Sequence, residues 1–451
     1  MTARYLVGDT RDVLRTLPAG SVDLVLTSPP FLALRNYLPA DHPSKDREIG
    51  GETSPGEFLD VLLDVVDECA RVLAPHGSLV FELGDTYSGS GGGGGDYKPA
   101  NRRDGQPVFA GSADAQRREW TKYYRGSDPP RRRTRTHNFY NAEKRYSENW
   151  NAGRTDAAKL GFSLGDLPAT GGPGWPTEKC LCLVPQSFAW ALAYGHNPFT
   201  GRTIEPWRIR NIVAWCRPNP PVGALADKFR PATSYLTVAC KARDRYFDLH
   251  AVRTPNVNPR PQETNEQKNA AREAGQGHGF DERTVNPAGT PPNDWWAIPT
   301  SPYPGAHFAT WPEKLCVVPI LSMTPEKVCT TCGLPARRIV ESTRVDDNGD
   351  QVTGDWNAKN YEPGVGYTGQ QGAHARGGDA AGTIYESVGW TDCGHNTWRR
   401  GVVLDPFAGS GTTLAVAEGH GRDSVGIDLD DRNRILAYDR VGGLFLEETS
   451  W

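Results

Sequence analysis

The chain has 451 residues, with 50 Lys+Arg against 54 Asp+Glu, a formal net charge of −4 and 37% apolar residues. That length calls for two or three structural units. The near-balanced charge excludes a wholly basic nucleic-acid coat, and no run of about 18 apolar residues exists to form a membrane-spanning helix. The segment from Met1 to Asp9 offers no apolar signal core, and the nine cysteines are an odd number. They read as reduced thiols or metal ligands, and a cytoplasmic protein is expected.

In chain order, Val22-Asp23-Leu24-Val25-Leu26 is a short apolar run that stops at Thr27-Ser28-Pro29-Pro30. Two prolines cannot continue a ladder, so a buried strand ends there and Ser28 to Phe31 form a turn. Ser54-Pro55-Gly56-Glu57 then opens a helix, with Ser as N-cap and Pro at the first position. Phe58, Leu59, Leu62, Leu63, Val66 and Ala70 follow at helical spacing, and His76-Gly77 closes the unit. Gly77 to Leu83 reads as the next strand, and strand, helix and strand imply a parallel sheet.

Gly89 to Gly95 is nearly all glycine, and the stretch beyond it changes character. Residues 97–155 carry 14 Lys/Arg against 6 Asp/Glu, densest at Arg131, Arg132, Arg133 and Arg135. Trp120, Tyr123, Tyr124, Phe139, Tyr140, Tyr146 and Trp150 are interleaved with them. Basic side chains neutralise phosphates and aromatic faces stack on bases, so the region reads as nucleic-acid binding; a solvated loop is the rival reading. Asn211 to Cys216 and Tyr235 to Cys240 are apolar runs either side of a Pro-rich bend, expected to add an antiparallel pair to the sheet. Residues 251–294 and 342–388 are polar and show no periodicity.

Cys329-Thr330-Thr331-Cys332 and Cys393-Gly394-His395 offer three thiols and an imidazole, a ligand set suited to tetrahedral Zn²⁺. Two reduced thiols beside a turn would look the same. Cys180 and Cys182 offer a second, partial set, although Leu181 and Leu183 around them suggest a strand.

Near the end, Val402-Val403-Leu404-Asp405-Pro406-Phe407-Ala408-Gly409-Ser410-Gly411-Thr412-Thr413 runs from an apolar strand through a glycine turn into a helix. Such a turn lets a ligand approach the backbone and presents free N–H groups to an anion. The next strand ends at Asp428, where nucleotide-binding sheets place a carboxylate for ribose hydroxyls. Thr412 stands where an NTPase phosphate loop needs Lys, and the third glycine of a dinucleotide fingerprint is missing. An adenosyl cofactor without a pyrophosphate fits better, with the carboxylate of S-adenosylmethionine against the turn.

The Ser28 turn suits chemistry on an exocyclic amine. The nitrogen lone pair is delocalised into its ring, and acceptors on the N–H protons draw it toward a nucleophilic geometry. The Ser28 hydroxyl and the Pro29 carbonyl, fixed by Pro30, supply such acceptors, and Phe31 offers a face for a base that has left the duplex.

The pair T-S-P-P-F and D-P-F-A-G-S-G-T-T resembles the amino-directed DNA methyltransferases, and its order, catalytic motif first, is similar to their β group. The resemblance implies an α/β, Rossmann-like, circularly permuted methyltransferase fold: a mostly parallel seven-stranded sheet with a reversed last strand and inserted recognition and zinc-binding segments. It implies Asp9 near the cofactor adenine and a closing segment with His307 and Phe308 before Trp311-Pro312, alongside Asp405, Pro406, Phe407, Gly409, Ser410, Gly411, Thr412, Thr413 and Asp428. The organisation expected is a catalytic half over 1–86, a recognition insertion over 87–205, late strands over 206–250 and a recognition loop over 251–302. A cofactor-closing segment over 303–328, a zinc segment over 329–397 and an S-adenosylmethionine-binding half over 398–451 follow. Ser-Pro-Pro with an aromatic is more typical of N4-cytosine than of N6-adenine enzymes. The expected partner is double-stranded DNA, with a cognate restriction endonuclease implied. Action on adenine, on RNA, or by a non-catalytic nucleic-acid-binding relative are the alternatives.

Overall fold

The computed structural model describes residues 3–34, 37–38, 41–89, 170–220, 228–254, 289–300, 311–345, 382–442 and 446–447. The chain divides into two units, one of residues 1–247, 293–335 and 396–451, the other of 248–292 and 336–395.

In chain order, the first unit begins with β1 (Ala3–Val7), α1 (Thr10–Thr16), β2 (Val22–Thr27), α2 (Pro55–Val72) and β3 (Leu73–Leu83). It continues with α3 (Val184–Tyr194), β4 (Arg208–Cys216), β5 (Thr233–Cys240), β6 (Trp295–Ala297), α4 (Glu313–Met323) and β7 (Val328–Cys329). The second unit supplies β8 (Arg338–Val345) and β9 (Gly382–Trp390). The first unit resumes with β10 (Trp398–Arg399), β11 (Val402–Asp405), α5 (Thr412–Gly419), β12 (Asp423–Asp428), α6 (Arg432–Val441) and β13 (Leu446–Glu447).

Nine strands form the central sheet of the first unit, in the order β13-β1-β12-β11-β2-β3-β5-β4-β6. The six from β13 to β3 run parallel, β5 runs antiparallel to both β3 and β4, and β6 is parallel to β4. Seven strands with the last one reversed were expected. The extra two, β6 and β13, are edge strands of three and two residues, too short to leave a periodic signature. The reversed strand is internal because β5, the second member of the late pair, inserts between β3 and its own partner.

Side chains alternate between the two faces, as a strand's period of two requires. Val25, Leu79, Phe81 and Leu404 face one core with Leu14, Phe58, Leu62 and Phe188 of α1, α2 and α3. Leu24, Leu26, Val80 and Val403 face the other, with Leu315 and Ile320 of α4 and Val416 of α5. Helices thus cover both faces, and the strands read as unbroken apolar runs because neither face is wet.

The N-terminus of α2 is built as the sequence suggests: Ser54 Oγ accepts the Glu57 N–H at 3.2 Å, and Glu57 reaches back to Thr53 N–H. Its C-terminus falls at Val72, earlier than His76-Gly77. Leu73 takes extended geometry, so β3 absorbs both residues behind a register shift against β2. Inside that strand His76 meets the buried Asp23 at 2.8 Å, while Arg399 (2.6 Å) and the Val402 N–H (2.8 Å) donate to the same carboxylate.

In the second unit β8 and β9 pair antiparallel, two strands within a region whose sequence shows no periodicity. Arg338 reaches Asp248 at 2.9 Å and lies over the Trp390 ring.

Candidate active site

β2 and β11 are hydrogen-bonded neighbours running the same way, so the Ser28 turn and the glycine turn emerge at one end of the sheet. A carboxylate staples them. Asp405, at the end of β11, accepts the hydroxyls of Thr27 at 2.5 Å and Thr413 at 2.5 Å, and the Phe407 N–H at 3.1 Å. Burial nevertheless raises its pKa to about 6 against these donors.

On the other side of β2 lies β3, and here the geometry adds a residue that sequence reasoning missed. Ser28 Oγ donates to Glu82 Oε2 at 2.6 Å. Glu82 is 1% exposed, and its Oε1 has no hydrogen-bond partner among the described residues. Burial pushes its pKa up, opposed by the Ser234 and Ser28 hydroxyls and the Arg217 charge. Arg217 itself donates to Thr233 O at 3.0 Å and Ser234 Oγ at 3.4 Å. An acid within a β3 run that otherwise reads Leu-Val-Phe-Glu-Leu is the signal that could have found it, because an acid buried that deeply needs a partner or a task.

At the glycine turn, Gly409 and Gly411 have φ of +49° and +75°. A Cβ on Gly411 would stand 2.8 Å from Ala437 Cβ, so only glycine admits the close approach of α6. Tyr5 OH donates to Gly409 O at 2.7 Å and ties the turn to β1. Asp428 accepts N–H groups of Gly409 (2.8 Å) and Asp430 (2.9 Å) and the Asn433 amide (3.1 Å), and burial raises its pKa to about 6. Three buried polar atoms near the carboxyl ends of β1, β11 and β12 lack partners among the described residues: Thr10 Oγ1, Ser410 Oγ and Asn433 Oδ1.

Asp9 is otherwise engaged. Its side chain caps α1 by accepting the Arg11 N–H at 2.9 Å and pairs with Arg11 (2.6 Å) and Arg47 (2.8 Å). Burial alone would raise its pKa; the Arg11 hydrogen bonds and the Arg11 and Arg47 charges outweigh that and hold it below the usual range.

Cys329 and Cys332 form a tight knuckle on β7: Gly333, at φ +71°, donates to Cys329 O at 2.9 Å, and the Cys332 N–H points at Cys329 Sγ at 3.5 Å. Thr397 lies against it, accepting the Thr330 N–H at 3.0 Å and meeting Thr331 Oγ1 at 2.8 Å. Cys393 and His395 precede Thr397 by four and two residues, around Gly394 at φ +80°. Cys182 is a core thiol whose pKa is pushed up to about 12 by burial, Asp85 and Cys180.

A family model described as DNA methylase, N6_N4_Mtase, matches residues 22–152 and 394–437, stretches that hold the Ser28 turn and the glycine turn respectively. The type II methyltransferase M.SmaI of Serratia marcescens is 21% identical over 440 residues, covering 98% of this chain and 91% of that protein. Over both turns the chain is thus similar to the DNA methylase family model, and along most of its length to a type II methyltransferase. The type II methyltransferase M.Cfr9I of Citrobacter freundii is 26% identical over 323 residues, 71% of this chain and 73% of that protein. Among solved structures, the PvuII DNA methyltransferase (cytosine-N4-specific) aligns with 12% identity and a TM-score of 0.41, over 100% of this chain and 89% of that one. The structure brings Ser28 to Phe31, Asp405 to Thr413 and Asp428 together at one sheet end. Arg131, Arg132, Arg133, Arg135, His307 and Phe308 lie outside the described residues.

Proposed function

We propose that the protein transfers a methyl group from S-adenosylmethionine to the N4 amine of a cytosine swung out of double-stranded DNA. The observation that carries the reading is the Thr27–Asp405–Thr413 staple, which holds an amine-directed turn beside a nucleotide-type turn. The orphaned polar atoms of Thr10, Ser410 and Asn433, with the acidic Asp428, fit a polar adenosyl ligand. When bound there, S-adenosylmethionine supplies an electrophilic methyl group on a sulfonium centre. Gly409 to Thr413 and Asp428 would hold it, while Asp405 acts through the two threonines and Asp9 through its arginines.

The chain's own part is orientation and proton handling. Because Ser28 Oγ donates to Glu82, its lone pairs remain free to accept an N–H of the target amine, alongside the Pro29 carbonyl. Phe31 stacks the base. The proton that leaves the alkylated nitrogen passes to Ser28 Oγ as the Ser28 proton moves to Glu82, whose raised pKa suits it to receive one. No covalent enzyme intermediate is needed. The basic insertion, with Arg131, Arg132, Arg133 and Arg135, binds DNA phosphates, and a restriction endonuclease of matching site is the expected partner.

Cys329, Cys332, Cys393 and His395 hold a structural Zn²⁺ in this reading. Support comes from the thiol-rich donor set in the sequence and from the knuckle N–H directed at a sulfur.

Incubation with unmethylated DNA and S-adenosylmethionine, followed by nucleoside mass spectrometry, tests the function. N4-methylcytosine is expected; N6-methyladenine would reassign the base, and no modified nucleoside would overturn the reading.

A further inference from the structure

Phe31 has been given a ring face to offer, but nothing so far says what holds the ring. The edge of that ring lies against the backbone of Gly84, immediately after β3. A Cβ built on Gly84 would stand 2.5 Å from Phe31 Cε2, 2.9 Å from Cδ2 and 3.3 Å from Cζ, the first two closer than any real side chain allows. Gly84 does not have a positive φ, so its backbone would accept any L residue. The absence of a Cβ there serves the neighbouring ring.

Neither wall can retreat. On one flank Leu83 is in the ladder, opposite Tyr235 of β5. On the other, Asp85 accepts the N–H groups of Leu183 (2.9 Å) and Val184 (3.1 Å) at the start of α3. The Phe31 backbone is fixed as well: its carbonyl accepts the Leu34 N–H at 3.3 Å, and a Cβ on Gly50 would approach that oxygen to 3.0 Å. A methyl group at position 84 could therefore be accommodated only by turning the ring about its side-chain torsions.

We infer that Gly84 is a positioning residue that sets the plane of the Phe31 stacking platform, and through it the attitude of the target base toward Ser28. This rests on the reading of Phe31 given above. The same strand end then serves the reaction twice, Glu82 through Ser28 and Gly84 through Phe31.

A double-mutant cycle tests it. Turnover on unmethylated genomic DNA with methyl-labelled S-adenosylmethionine, and cofactor affinity by calorimetry, are measured for Gly84→Ala, Phe31→Ala and the double variant. Gly84→Ala should lower kcat by about 100-fold, the scale of an ångström-level misplacement, with cofactor Kd within about twofold of wild type. In the Phe31→Ala background the added methyl has no ring to displace, so the double variant should match Phe31→Ala within about twofold. Wild-type turnover in Gly84→Ala, or a double variant showing the product of both losses, would overturn the inference. If Gly84→Ala does not fold, the double variant decides: it must unfold cooperatively and match Phe31→Ala, and failing either ends the proposal. Wild-type turnover in Phe31→Ala would instead remove the stacking role itself.

Discussion

On one side of strand β2, Asp405 accepts three hydrogen bonds and has a donor on each oxygen. On the other side Glu82 accepts the Ser28 hydroxyl through one oxygen, and its Oε1 has no hydrogen-bond partner among the described residues. Both carboxyl groups are buried at the same end of the sheet, and burial raises the pKa of each. The difference lies in saturation. A buried carboxylate whose lone pairs are committed to neighbouring hydroxyls fixes geometry, whereas one with an idle oxygen beside the Ser28 hydroxyl can take up a proton.

The sharpest way to break this contrast is Ser28→Ala. It should reduce kcat by about 10²–10⁴-fold, with cofactor affinity within about twofold; a collapse of affinity with normal turnover of the bound complex would misplace the chemistry. Glu82→Gln keeps an oxygen for Ser28 but cannot accept a proton, and should cost about 100-fold in kcat. The wild-type rate should fall as pH drops through a value above the ordinary glutamate range of about 4.3, because burial favours the protonated form. That acid limb should vanish in Glu82→Gln; if it persists, another group is the acceptor.

Asp405 should respond in stability instead. Its pKa of about 6 lies above the unfolded value of 3.8, so its stabilising contribution is complete below about pH 3.8 and is lost as pH rises through 6. Asp405→Asn should flatten that part of the stability profile. It should also cost about 1–3 kcal/mol by leaving a buried donor without an acceptor, as read by denaturant unfolding at pH 7. The smallest effect on turnover is expected at the remote cysteine knuckle. Cys332→Ser should abolish zinc in metal analysis and lower Tm while kcat changes by about twofold or less; protein purified without chelators yet free of zinc would remove the metal reading.

Much of the fold was legible because both faces of the sheet are covered. Strands such as Val22–Thr27 and Val402–Asp405 therefore appear as unbroken apolar runs ending in prolines or glycines. Ser28 and Gly409 to Thr413 could be singled out because each lies in a turn held by its own residues. Glu82 and Gly84 could not, because what matters there is which side chain the neighbouring strand places opposite them, and that follows from the register of β2 against β3. Asp9 and Asp405 were legible as residues but not in their engagement, since Arg47 and Thr27 reach them across 38 and 378 positions of sequence. Edge strands as short as β6 and β13 leave too few residues for any period to show.

The carboxylate of Asp23 has one further implication. It receives Arg399, His76 and the Val402 N–H at the amino end of β2, while Thr27 is held by Asp405 at the carboxyl end. Six buried residues clamped at both extremities make a rod that neither slides nor tilts alone. If the proposed function holds, redesign toward a different target would leave this rod untouched and work on the segments downstream of Phe31.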